Sequence, residues 1–169
     1  NGKQSSIVAL FDYVGNIDAS ISIASLREGK AKTCRPIFIT AKKEVVVKNI
    51  YHPLVKNCVK NDLAISNRSI LITGSNMSGK STFLRTLAIN SILAQTIYTV
   101  FADEFTSPIL KQFSSIRIDD NLFEGKSYYF QEVNSMASLI TEAERPYQNL
   151  FVLDEVFKGT NTIERISAA

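Results

Sequence analysis

The chain has 169 residues, of which 45% are hydrophobic and 21% charged, a composition that excludes intrinsic disorder and suffices for one domain with its own core. The formal net charge of +3 is too small to indicate nucleic-acid binding by itself, and the longest basic run is Lys42-Lys43. We find no signal peptide and no apolar run of membrane-spanning length, so we expect a cytoplasmic protein without direct membrane contact.

The first element is a predicted helix over residues 5–27, in which apolar side chains recur at helical spacing for more than five turns. Ser5 or Ser6 is a suitable N-terminal cap, and Gly29 a suitable stop. The absence of a starting Met leads us to expect a piece of a larger protein, and we expect this helix to pack on a neighbour.

Short extended runs follow the helix. Residues 36–39 and 44–47 are predicted strands, and residues 63–65 are a short extended piece within a loop. His52-Pro53 predicts a turn, because the residue before proline avoids the helical region. His52 is the single histidine of the chain, and we interpret it as a turn or cap residue rather than a metal ligand or base.

Residues 74–81 read G-S-N-M-S-G-K-S and match the phosphate-binding pattern G-x-x-x-x-G-K-[ST] at every constrained position. The apolar, β-branched run 70–73 predicts a buried strand before this loop, and residues 82–96 predict a helix after it. Strand, glycine loop and helix are the context in which such a loop works. The predicted phosphate-binding residues are Gly74, Ser75, Asn76, Met77, Ser78, Gly79, Lys80, Ser81 and Thr82.

The chemistry of this loop follows from its residue types. The glycines let backbone N–H groups converge on one point, where the helix N-terminus adds its positive dipole end. Lys80 is expected to reach the β- and γ-phosphates of a nucleotide, and the Ser81 hydroxyl to bind Mg²⁺. The alternative is a chance glycine-rich turn, which the flanking pattern disfavours.

The second half of the chain alternates strands and helices. Residues 99–102 and 113–118 are predicted strands, and residues 119–126 a polar turn. Apolar residues from position 130 onward line one face of a helix that ends near residue 143. The continuous apolar run 150–153 predicts a central parallel strand.

Asp154 and Glu155 come directly after that last strand. A parallel strand delivers its C-terminal residues to the edge of the sheet that also carries the phosphate loop. Asp154 is therefore expected to hold Mg²⁺, directly or through water, and Glu155 to act as general base on an attacking water. The plain alternative is a strand that ends in two solvated acids.

With both motifs placed, the chain resembles the ATPase domain of the MutS family of DNA mismatch-repair proteins over nearly all of its length. Residues 73–82 are similar to the family pattern T-G-P-N-M-x-G-K-S-T, and residues 154–162 to D-E-x-x-[RK]-G-T-x-T. His52-Pro53 lies where the family has R-H-P. Residues 120–127 resemble its D-x-[LI]-x-x-G-x-S loop.

The resemblance implies an α/β fold of the three-layer P-loop NTPase type, ABC-ATPase-like, with a mainly parallel sheet preceded by a long helix and a small β portion. Residues 1–30 would be the end of a helical core region and residues 31–169 the ATPase domain, truncated on its C-terminal side. The implied cofactors are ATP and Mg²⁺. The implied partners are double-stranded DNA, contacted through domains outside this chain, and a second ATPase subunit.

The resemblance also assigns roles to individual residues. Asn76 would face the γ-phosphate, and His52, Pro53 and Leu63 would lie near adenine. A first loop, Gly125, Lys126 and Ser127, would contact the nucleotide bound on the second subunit. A second loop would cross the dimer interface, and it comprises Gly159, Thr160, Asn161 and Thr162.

The sequence departs from the family pattern at several of these positions. Ser75 replaces the usual proline of the phosphate loop, Tyr51 replaces the arginine before His-Pro, and residues 127–130 read S-Y-Y-F where the family has S-T-F-x. Leu63 stands where an aromatic residue often stacks on adenine, which would weaken base stacking. Three functions therefore remain open: a mismatch-repair ATPase, a MutS-related or other ABC-type ATPase outside mismatch repair, and a nucleotide-dependent interaction module that does not hydrolyse ATP.

Overall fold

A computed structural model of the chain describes residues 2–29, 31–66, 68–75, 78–116 and 128–154. Within these ranges the structure is α/β, as predicted. Its elements, in chain order, are α1 (Gly2–Glu28), β1 (Ile37–Phe38), β2 (Glu44–Ile50), β3 (Asn61–Ser66), α2 (Lys80–Ile97), β4 (Glu104–Ser107), β5 (Lys111–Ser115), α3 (Tyr128–Ala143) and β6 (Asn149–Leu153).

The strands form two sheets. The first has four strands in the order β1-β4-β2-β3, in which β1 pairs with β4 in parallel and β2 pairs with both β3 and β4 antiparallel. The second consists of β5 and β6 in parallel, with Phe113 opposite Phe151 and Ser115 opposite Leu153. Strands β1, β2 and β3 of the first sheet precede the phosphate loop, β4 follows α2 and joins them, and Asp154 comes directly after the parallel pair.

The hydrophobic core lies between α2 and the four-stranded sheet. Its largest fully buried side chains are Val47, Ile50, Val100 and Phe105, each 2% exposed or less. Leu87 packs onto them from α2. The helix that follows the phosphate loop is therefore fixed by apolar contacts along one side, since removing such side chains from water is the main stabilising contribution in a domain of this size.

Most predicted elements are confirmed. The helices over residues 5–27, 82–96 and 130–143 and the strand over residues 150–153 are present, each somewhat longer than predicted. Residues 63–65 belong to the regular strand β3 rather than to a loop. The strand predicted over residues 113–118 is β5, which begins two residues earlier and ends at Ser115.

The strand predicted over residues 70–73 is wrong for this structure. These residues form no β-ladder, and Ile70 and Leu71 are 46% and 88% exposed. A strand requires the backbone groups of a neighbour as partners, and among the described strands β6 pairs with β5 alone. Residues 70–72 and β6 instead both line an open cleft.

The strand predicted over residues 99–102 is also wrong. Tyr98 has a left-handed backbone (φ 53°) that ends α2, and a bend follows at residues 101–103. Between them Val100 makes an isolated bridge with Cys34. The apolar residues of this segment are nevertheless fully buried, with Val100 and Ala102 each 0% exposed. The apolar composition of residues 99–102 therefore reflects their burial, while the turns on either side prevent them from forming a regular strand.

Helix α1 also corrects the expectation that no apolar run reaches membrane-spanning length. Residues Lys3–Glu28 are long and apolar enough to cross a membrane, judged by length and composition alone, and none of them is buried. Asp12 and Asp18 lie within the helix, and an acidic residue near the centre of a spanning helix costs roughly 2.5 to 3.5 kcal/mol on insertion scales. Along the described part of α1, Ile23 and Arg27 are the two partly buried residues.

Candidate functional site

The phosphate loop ends at Gly79, which has φ 90° and ψ 11° and directly precedes α2. An L-residue with a side chain is strained in this left-handed region, whereas glycine adopts it readily. The Gly79 carbonyl accepts the Phe83 N–H at 2.9 Å, and the Ser78 N–H donates to the Ser75 carbonyl at 3.2 Å. Glycine at position 79 therefore lets the loop turn sharply into the N-terminus of α2, where N–H groups remain free to bind an anion.

The Lys80 ammonium lies over the loop. Its Nζ donates hydrogen bonds to the carbonyls of Gly74 and Ser75, each at 2.7 Å. An ammonium group has three donors, so one remains available to a further oxygen. The loop thus holds a positive charge close to the helix N-terminus, and both contributions favour an anion at this place.

Asp154 is held at the end of β6. Its backbone N–H donates to the Ser115 carbonyl at 2.9 Å, which continues the β5–β6 pairing one residue beyond the strand. The side chain is partly buried. Asp154 and Lys80 both line a single cleft of about 940 Å³. Two charged groups that the sequence predicted for the site, the Lys80 ammonium for phosphate and the Asp154 carboxylate for Mg²⁺, therefore line the same cleft.

The walls of this cleft are mainly apolar. Phe83 and Leu87 face it from α2, Leu63 and Ile65 from β3, and Leu153 from β6. Charges in such surroundings interact more strongly than in bulk water because the effective dielectric constant is lower. A volume of this size lies in the range of small-molecule and cofactor sites.

Of the three residues predicted near adenine, Leu63 lines the cleft, while His52 and Pro53 lie outside its lining. His52 forms a turn, as predicted: its Nδ1 accepts the Leu54 N–H at 3.2 Å and its carbonyl accepts the Val55 N–H at 3.2 Å. The neighbouring Tyr51 hydroxyl donates to the Lys32 carbonyl at 2.7 Å. Burial, reinforced by the charge of Asp103, raises the pKa of Tyr51, so its hydroxyl remains protonated.

The oxygen donors at the site suit a magnesium ion that is held jointly with phosphate. Ser81 lies partly buried in the first turn of α2, next to Lys80 but outside the lining of the cleft, and Asp154 supplies a carboxylate within that lining. In the part of the chain that the structure describes, no cluster of three or more His, Cys, Asp or Glu side chains is able to hold a metal ion alone. Mg²⁺ is ordinarily bound through one or two protein oxygens, substrate phosphates and water rather than by an all-protein cage, so these residues fit it.

Several predicted site residues lie outside the described ranges. They are Asn76 and Met77 of the phosphate loop, Glu155, and the loop residues Gly125, Lys126, Ser127, Gly159, Thr160, Asn161 and Thr162. The roles assigned to them from the sequence stay predictions.

Sequence reasoning missed two residues that hold α2 in place. Asn90 is 0% exposed; its amide donates to the carbonyls of Tyr51 and Thr86, and its side-chain oxygen accepts the Phe101 N–H at 2.7 Å. An asparagine on the apolar face of a predicted helix was the signal that could have identified it, because such a residue needs hydrogen-bond partners when buried. Arg27, which contacts the other end of α2, carries no comparable signal.

The fold and the loop together define an α/β domain of the P-loop NTPase class. The sequence profile of MutS domain V matches residues 70–169, from the segment before the phosphate loop to the last residue. Because that match covers more than half of the chain, the chain belongs to the MutS family.

Individual relatives agree with this assignment. A DNA mismatch repair protein MutS from Pseudothermotoga lettingae is 35% identical over 178 residues, covering 100% of this chain and 21% of that protein. The protein of the same name from Petrotoga mobilis is 37% identical over 142 residues, covering 80% of this chain and 17% of that protein. DNA mismatch repair protein Msh3 from Mus musculus is 30% identical over 168 residues, covering 94% and 15%. The chain spans about a fifth of the length of its MutS relatives.

Proposed function

We propose that this chain is the ATP-binding and ATP-hydrolysing part of a MutS-like DNA mismatch-repair protein, in which hydrolysis drives a conformational change on DNA. The observation that carries the proposal is that Lys80 and Asp154 line the same cleft at the N-terminus of α2. The names of the relatives support the mismatch-repair assignment.

Each residue that the sequence predicted for phosphate, metal or catalysis has a defined task in this proposal. The Lys80 ammonium exchanges loop carbonyls for the β- and γ-phosphate oxygens of ATP, and the N–H groups at the start of α2 bind the same phosphates. Ser81 and Asp154 would hold Mg²⁺, which would neutralise charge that develops on the phosphate oxygens. Glu155, the next residue after Asp154, orients and deprotonates the attacking water. Positioning and charge neutralisation account for most of the catalysis in phosphoryl transfer to water.

The remaining assignments concern recognition. Adenine would lie toward Leu63 and the His52-Pro53 turn, with weaker stacking than an aromatic residue at position 63 would give. The loops at residues 125–127 and 159–162 would contact the nucleotide or the interface of a second ATPase subunit. Double-stranded DNA would bind through parts of the protein outside this chain.

The phosphate-loop assignment is tested by ATP binding and turnover of the full-length protein that contains this chain. We expect Lys80→Ala to weaken ATP binding and to reduce turnover by about 100-fold or more, because a charge that neutralises the transition state is lost. Lys48→Ala is the matched control, since Lys48 pairs with Glu104 on the surface and lies outside the lining of the cleft. Equal activity of both variants would contradict the proposal.

Glu155→Gln separates an ATPase from a nucleotide-dependent interaction module that does not hydrolyse ATP. We expect turnover to fall sharply while ATP binding persists, because the amide retains the shape of the side chain and loses its basicity. If the unmutated protein binds ATP but shows no turnover, the interaction module becomes the better description.

Turnover with and without DNA tests the biological role. We expect a duplex with a single mismatch to change the ATPase rate relative to the fully paired duplex of the same sequence. A rate that is indifferent to the mismatch would retain the ATPase and assign the protein to a MutS-related function outside mismatch repair.

A further inference from the structure

The C-terminal end of α2 is bound by one side chain of α1. Arg27 donates from Nε to the Thr99 hydroxyl at 2.8 Å and from Nη2 to the carbonyls of Ile97 and Tyr98, at 2.9 Å and 3.2 Å. These carbonyls are among those that a helix leaves without partners at its C-terminus, where a cation is also favoured by the helix dipole. The guanidinium is therefore matched to this helix end both in geometry and in charge.

Little else attaches α1 to the described part of the domain. The helix has 27 residues, and its side chains are exposed from Lys3 onward except at Ile23 and Arg27, which are partly buried. The chain that follows returns to the same place, because the Cys34 N–H and carbonyl both pair with Val100, at 2.8 Å and 3.0 Å. Residues 97–100 are thus hydrogen-bonded both to the last turn of α1 and to the segment that follows it.

The opposite end of α2 is the phosphate loop. The helix has 18 residues and is about 27 Å long at 1.5 Å per residue. Asn90 fixes its middle through hydrogen bonds to Tyr51 and Phe101. Because the backbone hydrogen bonds make a helix stiff, a tilt about Asn90 moves both ends together in opposite directions.

We propose that Arg27 transmits the nucleotide state of the phosphate loop to α1. This inference rests on the proposed function, and it adds the route by which that site communicates. When phosphate draws the Lys80 ammonium away from the Gly74 and Ser75 carbonyls, the N-terminus of α2 shifts relative to the loop. The carbonyls of Ile97 and Tyr98, at the other end of the helix, shift as well. The last turn of α1 follows because Arg27 is hydrogen-bonded to both carbonyls. Because such coupling is reciprocal, a ligand that binds through α1 changes the affinity for nucleotide by the same factor as nucleotide changes the affinity for that ligand.

Amide hydrogen exchange of the full-length protein, with and without the non-hydrolysable analogue AMP-PNP and Mg²⁺, tests the inference. In the unmutated protein we expect the nucleotide to slow exchange near the start of α2 and to change it in residues 20–28 of α1. In Arg27→Ala we expect the protection of α2 to persist, while the response of residues 20–28 falls by about tenfold, the effect of losing a hydrogen-bonded charged group. Arg27→Lys should restore part of the response, because an ammonium reaches the carbonyls without the planar fork of a guanidinium.

Arg35→Ala is the matched control, since Arg35 is exposed on the segment after α1, and it should respond to nucleotide as the unmutated protein does. A nucleotide response of residues 20–28 that survives in Arg27→Ala would overturn the inference, as would unmutated protein in which α2 is protected and α1 does not respond. Absence of nucleotide protection at α2 in the unmutated protein would instead contradict the proposed function itself.

Discussion

Helices α1 and α2 differ in burial far more than in composition. Both are rich in Ile, Leu, Ala and Ser, yet the described part of α1 has no buried residue, whereas α2 buries Thr86, Leu87, Asn90, Ser91 and Ala94. Three of those five side chains are polar. The comparison teaches that burial in this domain is decided by what lies opposite a helix. The side of α2 that faces the four-stranded sheet is buried whether its side chains are apolar or polar; Thr86 and Asn90 are hydrogen-bonded there, while the buried Ser91 hydroxyl has no hydrogen-bond partner among the described residues.

The largest expected effect comes from truncating the same residue type in each helix. Leu87 is 4% exposed in the core, while Leu10 on α1 is 62% exposed. We expect Leu87→Ala to lower the free energy of unfolding by about 3 kcal/mol, because it removes buried methyl groups and leaves a cavity. Leu10→Ala should change it by less than about 0.5 kcal/mol. Urea unfolding followed by circular dichroism measures both; similar losses for the two variants would show that α1 is buried in solution.

The next effect concerns asparagine in the two helices. Asn90→Ala removes the partners of the buried Tyr51 carbonyl and Phe101 N–H, and we expect it to cost about 2 kcal/mol of unfolding free energy. Asn16→Ala, on exposed α1, should be neutral or slightly stabilising because alanine has the higher helix propensity. The same urea titration compares them. A neutral Asn90→Ala would mean that water or a rearranged turn satisfies these backbone groups.

Replacing two glycines by alanine should change stability in opposite directions. A Cβ atom at Gly15 or at Gly79 would meet nothing within 4 Å. The two glycines differ in backbone conformation, because Gly79 has φ +90° and Gly15 lies within the helix α1. We expect Gly79→Ala to cost about 1 to 2 kcal/mol in strain and to disturb the phosphate loop. Gly15→Ala should stabilise α1 by about 0.5 to 1 kcal/mol. Thermal unfolding reports the first, and slower amide exchange within α1 the second; stabilisation by both would contradict the assigned conformation of Gly79.

The smallest effect is a dependence on pH at the sheet that α2 covers. Hydrogen bonds from Lys32 and Asn49 hold the pKa of Asp103 below its ordinary value of 3.8. A carboxylate with a depressed folded-state pKa contributes stability that is complete above the unfolded-state pKa and is lost as pH falls through the folded-state value. We therefore expect Asp103→Asn to lower stability at pH 7 and to flatten the loss of stability below about pH 4.

Lys32→Met checks the cause of that pH dependence, because Lys32 Nζ lies 2.9 Å from Asp103 Oδ1. Removing the ammonium should return the pKa of Asp103 toward its ordinary value. Like Asp103→Asn, it should therefore reduce the loss of stability below about pH 4. An unchanged acid limb in both variants would assign the pH dependence to other carboxyl groups. Unfolding at a series of pH values between 2 and 7, on about one-unit steps, is sufficient for this comparison.

The sequence by itself determined the fold class and most of the local elements, while the chemistry that it predicts for the site stays a prediction. Helical periodicity located α1, α2 and α3, and the apolar run before Asp154 located β6, because these patterns reflect which sides of an element avoid water. The octapeptide from Gly74 to Ser81 predicted the turn at Gly79 and the position of Lys80, since only particular residue types satisfy that geometry. Family membership followed from the same motifs.

Only the tertiary structure decided which apolar segments acquire partners. Residues 70–73 and 99–102 have the composition of strands, but the first faces a cleft without a paired neighbour and the second is confined between a left-handed residue and a bend. The hydrogen bond from Asn90 of α2 to Tyr51 joins residues 39 positions apart in the chain, and the one from Arg27 to Ile97 of α2 joins residues 70 positions apart. Hydrogen bonds between such distant groups depend on how the elements pack, and no local pattern specifies them.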